Sequence, residues 1–258
     1  TLFDREKYIV YYLNSKLYLQ LGLKLLKVHR VISFSQSLWL KSYIDFNIRN
    51  RQNAKNKFEI SFFKACCNLC FGKTIQSVRK HINVKIITDE KRLDKYISNP
   101  LCKRWQIISP DVIAVFSRKL ELKMNKPVYS GFSVLELSKF HMYDFFYCKL
   151  QKIVPWNRVE LCMTDTDSFL LNLKVEDVYQ LIRENLTLFD TSNYPPSHPC
   201  FSMERNKVVG KFKDQTGSRP ISKFIGLRSK LYSVLGGNEN DDEVVNKCVA
   251  KGVKSSVK

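Results

Sequence analysis

The 258-residue sequence predicts an α+β fold in which helices pack on antiparallel strands within one large domain or two small ones. Three observations support this prediction. The apolar fraction is 44%, with 17 Phe, 12 Tyr and 3 Trp, which is enough to build a core. Several stretches repeat apolar residues at helical spacing. Two apolar runs flank a short polar turn, which is the pattern of an antiparallel hairpin.

The first 80 residues are predicted to be mostly helical. Apolar residues recur at helical spacing through residues 4–22, which predicts a helix, and the partly alternating run 23–34 is rich in Val and Ile, which predicts a strand. Residues 39–78 contain no Pro and only Gly72, so we expect one or two helices there, with a basic face.

The remaining elements follow from the same rules of periodicity and turn chemistry. The predicted helices are 90–97, 135–154 and 175–186. The predicted strands are 84–88, a pair formed by 112–116 and 120–122, a hairpin formed by 159–163 and 169–173, and two later runs at 208–213 and 223–234. Residues 194–199 are a Pro-rich loop, and 236–243 are a polar break followed by a short basic tail.

The charge of the chain points to a polyanionic partner. There are 43 Lys and Arg against 24 Asp and Glu, a net charge of +19, although the charged fraction of 26% is ordinary. A compact state with this excess repels itself unless it faces an anion, so nucleic acid is the leading partner and an anionic membrane surface the second. No apolar run approaches the ~18–20 residues needed to span a bilayer.

The beginning of the sequence and its cysteines predict an intracellular fragment. The chain starts Thr1-Leu2-Phe3-Asp4, without an initiator Met or a signal-peptide pattern, so we expect a piece of a longer chain. Its eight Cys are expected to be free thiols in a reducing compartment. Cys67 and Cys70 could be half of a zinc site, but no second ligand pair follows at zinc-finger spacing, which favours packing within a helix.

The turn of the 159–173 hairpin carries two carboxylates. Asp165 and Asp167 are two residues apart, so on an extended backbone both side chains would project to the same side, where their oxygens could hold a divalent cation. A rigid strand-turn-strand is the setting that a catalytic Mg²⁺ site requires. The alternative interpretation is a plain polar β-turn, because Asp, Thr and Ser are ordinary turn residues.

Two further blocks accompany this hairpin. The three blocks, in chain order, are Lys64 with Asn68 and Phe71-Gly72, then Asp165-Thr166-Asp167-Ser168, then Lys230-Leu231-Tyr232. Together they resemble motif B, motif C and the Lys-x-Tyr motif of family B DNA polymerases, in particular the protein-primed type of viruses and large self-synthesising DNA transposons. The similarity extends over most of residues 1–235.

The resemblance implies a catalytic site that holds two Mg²⁺ ions. Asp167 would be a principal metal ligand and Asp165 its acidic neighbour. Thr166 and Ser168 of the same turn, with Lys230 and Tyr232, would contact the primer-template DNA.

The resemblance also implies a nucleotide-binding helix. Lys64 would contact the incoming deoxynucleoside triphosphate with Asn68 beside it, while Phe71, where the family usually has Tyr, and Gly72 would lie against the nascent base pair or sugar. Positions 64, 68, 71 and 72 lie along one helical stripe. Arg51 and Lys55 could add positive charge to this site, or they could belong to a solvated basic face.

The sequence departs from the family pattern in two places. Leu69 stands where the family usually has Ser, and no Asp-x-x-Ser-Leu-Tyr-Pro segment, which supplies the other metal-binding Asp, precedes Lys64. Residues 190–195 resemble that segment superficially but are one residue short and lie after the hairpin, so they are expected to be a loop. We therefore predict that these 258 residues alone do not catalyse DNA synthesis.

The resemblance implies a right-hand polymerase architecture. Residues 1–45 would be a palm-associated helix and strand, 46–80 a fingers helical hairpin, 81–235 the palm sheet with its catalytic hairpin, and 236–258 a linker and the start of an incomplete thumb.

The expected partners are primer-template DNA, deoxynucleoside triphosphates and a protein primer, with no membrane, at a nuclear, viral or mobile-element replication site. The rival functions are a non-enzymatic basic nucleic-acid-binding remnant of a mobile element and a metal-dependent nuclease that uses Asp165 and Asp167.

Overall fold

The computed structural model describes residues 3–236 and 245–252. By its internal contacts the chain divides into two compact units. Unit 1 consists of Thr1–Ser35 and Leu135–Lys258, and unit 2 is Gln36–Val134. Helices and mainly antiparallel strands occur in both units, so the α+β prediction is confirmed.

The core of unit 1 lies on a long helical segment. This segment begins with α5 (Val128–Tyr143), whose first turns belong to unit 2, and continues through a π-helical stretch (Asp144–Leu150) into α6 (Gln151–Ile153). In a π-helix residues five apart are neighbours, and Lys149 is accordingly paired with Asp144 at 2.7 Å. Phe145 and Phe146 from this stretch are buried.

Strand pairs pack around this segment. The elements are the hairpin β4 (Val159–Thr164) and β5 (Phe169–Leu173), the helix α7 (Val178–Glu184), the short parallel pair β6 (Phe189–Asp190) and β7 (Phe212–Lys213), and a three-stranded antiparallel sheet of β8 (Ile221–Arg228), β9 (Leu231–Gly236) and β10 (Val245–Ala250). Side chains from β4, β5, β6 and β7 pack on the buried cluster.

A buried polar link joins the first helix, α1 (Tyr12–Gln20), to α5. The Asn14 amide donates to the backbone oxygen of Glu136 at 2.8 Å and to its carboxylate at 2.9 Å, and Lys139 reaches the same carboxylate at 2.6 Å. Burial raises the pKa of Glu136, but these hydrogen bonds outweigh it and the pKa is lowered overall. The link holds α1 on the helical segment that carries the core.

Unit 2 contains a helical hairpin and a small sheet. The hairpin is α2 (Lys41–Asn53) and α3 (Lys57–Thr74), and the sheet has the order β1 (Ile82–Ile87), β3 (Val112–Arg118), β2 (Cys102–Ser109), with α4 (Glu90–Ile97) between β1 and β2 in the chain. A Cβ on Gly131 would overlap the Ile75 side chain, so glycine permits the start of α5 to approach the end of α3.

The structure confirms most of the predicted elements and corrects others. The predicted helix 4–22 is helical only from Tyr12 to Gln20, and of the predicted strand 208–213 only Phe212–Lys213 is a strand. Residues 23–34, predicted as a strand, have no regular structure, and residues 120–122 are not a strand. The partners of β3 are instead β1 and β2, of which β2 was not predicted. Residues 245–250, expected in a linker and basic tail, form β10 on β9. Of the predicted polar break 236–243, Gly236 ends β9 and the remainder lies outside the described residues. Over the described ranges, no helix combines the length and apolarity that crossing a bilayer takes.

Candidate functional site

The two aspartates lie in a tight turn between β4 and β5. The Asp167 N–H donates to the Asp165 carbonyl at 2.6 Å across Thr166, whose φ is 57°, and these features describe a three-residue turn of the γ type. The premise that Asp165 and Asp167 share an extended backbone is therefore wrong. The turn, and not the alternation of a strand, fixes how the two carboxylates are presented.

This turn is held rigidly from both sides. The Ser168 N–H donates to the Asp165 carbonyl at 3.2 Å, and the Asp165 N–H donates to the Ser168 carbonyl at 3.1 Å. The next residue, Phe169, packs its ring against Phe145 and Phe146 with centroid distances of 6.3 and 5.4 Å. A β-branched residue rarely adopts a positive φ, and such strain persists only where the surroundings impose it. The core next to Ser168 supplies that constraint to Thr166.

A second hairpin tip meets the first. Ser229 and Lys230 connect β8 to β9, and Lys230 is also left-handed, with a φ of 61°. Its ammonium lies 3.5 Å from Oδ1 of Asp165, and both side chains remain partly open to solvent, at 46% and 31% exposure. Two residues further on, Tyr232 is half-buried on β9, opposite Gly226 of β8 and Val249 of β10. The structure thus brings together five of the predicted residues, Asp165, Thr166, Asp167, Ser168 and Lys230, with Tyr232 on the adjoining strand.

The turn carries two acidic side chains and a lysine contact, whose chemistry bears on the predicted magnesium site. Its carboxylate oxygens are hard ligands, Asp167 is exposed, and the Asp165 contact with Lys230 is a half-exposed ion pair that a cation could replace. No cluster of three or more His, Cys, Asp or Glu side chains suitable for a metal occurs in the parts of the chain that the structure describes. The turn therefore offers two carboxylates, without a third such ligand beside them among the described residues.

The predicted nucleotide-binding residues lie on α3 in unit 2. The helix begins with a strong cap, in which the Asn56 side chain accepts from the Glu59 N–H at 2.8 Å and the Glu59 carboxylate accepts from the Lys55 N–H at 2.9 Å. Lys64, Asn68 and Gly72 are exposed. Their spacing of four residues places them along one side of the helix.

The surroundings of this stripe leave room for a ligand. Asn68 and Gly72 line a shallow groove together with Ala65, Leu69, Lys73 and Gln76. A Cβ on Gly72 would meet nothing within 4 Å, so the helix backbone is open to close approach there. Phe71 is half-buried at the margin of the stripe.

Arg51 and Lys55 take different positions in unit 2. Arg51, in the last turn of α2, is half-buried near Cys67 of α3. Burial and the neighbouring thiols raise the pKa of Cys67, and Arg51 opposes that rise. Lys55 is exposed in the loop before α3. All eight cysteines of the sequence lie in described positions and are free thiols, with Cys66, Cys67 and Cys70 half-buried.

The loop 190–195 is a structural feature of unit 1. Asp190 is 4% exposed and accepts from the Ser192 N–H at 3.0 Å, the Lys207 N–H at 3.0 Å and the Lys213 ammonium at 3.2 Å. Burial raises the pKa of Asp190, but the hydrogen bonds lower it by more. Its carboxylate is fully engaged inside the protein, as expected for a loop that only superficially resembles the missing motif.

Comparisons with known proteins matched this chain to no protein-family model, no curated protein and no solved structure. Sequence reasoning missed the contact between Lys230 and Asp165, which are far apart in the chain, and it missed the Asn14–Glu136 link. The one sequence signal for the Asn14–Glu136 link is Glu136 itself, a lone acidic residue in a mostly apolar helix.

Proposed function

We propose that the chain contributes to template-directed DNA synthesis as part of a polymerase of the family B, protein-primed type. The reaction is nucleotidyl transfer from a deoxynucleoside triphosphate to a primer 3′ hydroxyl. In this proposal the hairpin tips of unit 1 belong to a palm, the α2–α3 hairpin of unit 2 belongs to the fingers, and the strands after residue 220 grip the primer-template duplex.

The observation that carries this proposal is the meeting of two strained hairpin tips. Thr166 and Lys230 are both left-handed without being glycine, and the Lys230 ammonium lies 3.5 Å from Asp165. Strain of this kind costs of order 1–3 kcal/mol per residue and concentrates at functional sites. The two tips come from the two sequence blocks that resemble motif C and the Lys-x-Tyr motif.

Each group then has a role that suits its chemistry. Mg²⁺, when bound, would neutralise charge on the transferred phosphorus and the pyrophosphate leaving group. Asp165 and Asp167 would hold it, and Lys64 would place a point charge on a triphosphate oxygen. Lys230 would contact a backbone phosphate without reading sequence. The other metal-binding aspartate of the family has no counterpart in the sequence, so we expect no primer extension by these 258 residues alone.

A ternary-complex assay tests the proposal without requiring turnover. The chain is mixed with a labelled primer-template, Mg²⁺ and either the nucleotide that matches the template or a mismatched one, and DNA retention is measured by filter binding. We expect the matched nucleotide to tighten DNA binding about tenfold, or ~1.4 kcal/mol. Asp167→Asn should remove this gain because it removes a metal ligand.

Glu160→Gln is the matched control, since Glu160 is an exposed carboxylate on β4 of the same hairpin and lies outside the turn. It should keep the gain from the matched nucleotide. Equal retention with matched, mismatched and no nucleotide, with or without Mg²⁺, would instead identify a non-enzymatic basic nucleic-acid-binding protein. Magnesium-dependent degradation of the DNA would identify a nuclease.

A further inference from the structure

Helix α4 covers part of one face of the three-stranded sheet of unit 2, termed the covered face, and the opposite face is termed the open face. At the β2 edge of the covered face, Trp105 and Ile107 remain 49% and 60% exposed. Helix α4 packs on the covered face, where Lys85 donates to the Tyr96 hydroxyl at 3.1 Å and lies over its ring. Ile87 and Val115 point to that face and are 6% and 1% exposed. Side chains alternate along a strand, so the residues immediately before and after Ile87 and Val115 point to the opposite face of the sheet.

The strand register defines what the open face carries. One row across the sheet is Val84, Phe116 and Arg104, and the next is Ile86, Ala114 and Gln106. Val84 and Ile86, on the edge strand β1, are 45% and 59% exposed, whereas Ala114 beside them on the central strand β3 is 3% exposed. This face combines an aromatic ring, flanking aliphatic side chains and polar groups at its β2 edge.

The central feature of the open face is a stack of Arg104 on Phe116. The guanidinium carbon lies 3.8 Å from the ring centroid, and Arg104 is exposed. A guanidinium is planar, so when one of its faces stacks on a ring, its other face remains open to solvent. Unpaired nucleic-acid bases stack on arginine planes and on aromatic rings in this way.

The charge around the sheet fits a polyanion. The three strands contain Lys85, Lys103, Arg104 and Arg118 and no acidic residue, and residues 36–134 as a whole contain 19 Lys and Arg against 7 Asp and Glu. A second copy of this chain would bring the same positive charge to the face and would be repelled. A duplex hides its base faces within the stack, whereas a single strand exposes them.

We propose that the open face of the β1–β3–β2 sheet binds single-stranded nucleic acid. A base stacks on the outer face of Arg104, with Phe116 behind it and Val84 beside it for the sugar. Arg118, which the register places at the end of the same face, lies where it can contact the backbone phosphate. This site involves none of the residues assigned to metal or nucleotide, and it does not depend on the proposed polymerase function.

The test measures binding of the full chain to a fluorescent twelve-nucleotide oligothymidine at 0.15 M salt, without Mg²⁺ or nucleotide. Arg104→Lys keeps the charge and loses the planar group, and we expect it to weaken binding about five- to tenfold. The matched control is Lys85→Gln, which removes a charge from the covered face of the same sheet. We expect less than about a twofold effect from it because a single exposed charge is well screened at this salt.

Thermal melting checks that the variants are folded, and a second variant, Phe116→Leu, keeps the face apolar while it removes the ring behind Arg104. It should weaken oligothymidine binding as Arg104→Lys does. Wild-type affinity in both variants would overturn the proposal. The proposal would also be overturned if the variants lost affinity equally for a duplex of the same length. It would likewise be overturned if the wild-type chain self-associated in sedimentation and Arg104→Lys abolished this association, because the face would then join two copies.

Discussion

At the scale of single residues, the most informative of the five left-handed non-glycine positions that the structure describes are Thr166 and Lys230. Asn, Asp and Gly tolerate a positive φ, whereas Thr and Lys do so at a cost. Thr166 sits between two carboxylates, and Lys230 places its ammonium on one of them. If Asp165 holds a metal ion as proposed, the Lys230 ammonium is the counter-ion that this cation would displace.

Replacing Lys230 by Met should therefore have opposite effects on two ligands. We expect Mg²⁺ to bind about three- to tenfold more tightly, because a charge pair at 3.5 Å exposed to water is worth ~1 kcal/mol. Duplex DNA should bind more weakly, with a salt slope reduced by about 1 for one lost phosphate contact. Calorimetric Mg²⁺ titration and DNA binding at several salt concentrations measure the two effects.

The control for this change is Lys223→Met, on β8 of the same sheet and also exposed. It should leave the Mg²⁺ affinity unchanged. If Lys230→Met binds Mg²⁺ as the parent protein does, the carboxylate turn is not the metal site, and the assignment of Asp165 and Asp167 must be given up.

At the scale of elements, α3 has a well-capped first turn and, near its C-terminal end, a residue with low helix propensity and no close neighbours. The Asn56–Glu59 cap stabilises the first turn by ~1 kcal/mol. Gly72, in contrast, costs roughly 0.5–1 kcal/mol relative to Ala inside a helix. The space around Gly72 is empty, so nothing inside the protein requires a glycine there. A ligand that approaches the backbone would give a reason for it.

Gly72→Ala should accordingly stabilise the protein and impair nucleotide binding at once. We expect the free energy of unfolding to rise by about 0.5–1 kcal/mol in urea denaturation, and the gain in DNA retention from a matched nucleotide to shrink. Gln52→Ala, exposed on the neighbouring helix α2, is the control: it adds helix propensity and should keep that gain. Stabilisation with undiminished nucleotide response would exclude Gly72 from the site.

The elements also show how far sequence patterns reach. The predicted bounds of α4, 90–97, match the observed ones, and in the structure Asp89 caps the first turn by accepting from the Lys91 N–H. Residues 23–34 carry a strand composition, yet a strand exists only where another pairs with it, and none does there. Conversely, the Lys-Arg-Trp-Gln run of β2 is not typical of a strand, and β2 forms because β3 pairs with it.

The candidate site likewise has a part that local sequence patterns predict and a part that they do not. The hairpin around Asp165 and Asp167 was predictable from local apolar runs and turn residues. The γ-type turn at Thr166 was not, because a positive φ at a β-branched residue contradicts local preference and is imposed by the packing of Phe169. The contact of Lys230 with Asp165 depends on how two hairpins pack, which no local pattern encodes.

At the scale of the whole molecule, the net charge of +19 is shared unevenly. Residues 36–134 hold 12 of the excess positive charges and the rest of the chain 7. Within unit 1, the sheet of β8, β9 and β10, its β8–β9 turn and the residue that follows β10 carry five cations: Lys223, Arg228, Lys230, Lys247 and Lys251. An arrangement of this kind favours a long polyanion over a small anionic ligand.

This distribution predicts a steep and sequence-independent salt dependence of DNA binding. If the five cations of that sheet each neutralise one duplex phosphate, the logarithm of the binding constant should fall against the logarithm of salt concentration with a slope of about −4.5 or steeper. Fluorescence anisotropy with two unrelated 20-base-pair duplexes measures it. Vesicles that contain phosphatidylserine, with the same total negative charge, provide the comparison with a membrane surface. We expect the chain to bind them more weakly than DNA, because cations fixed on a sheet match a line of phosphates better than they match mobile lipid headgroups. A slope shallower than −2, or tighter binding to the vesicles, would mean that the excess charge serves some partner other than nucleic acid.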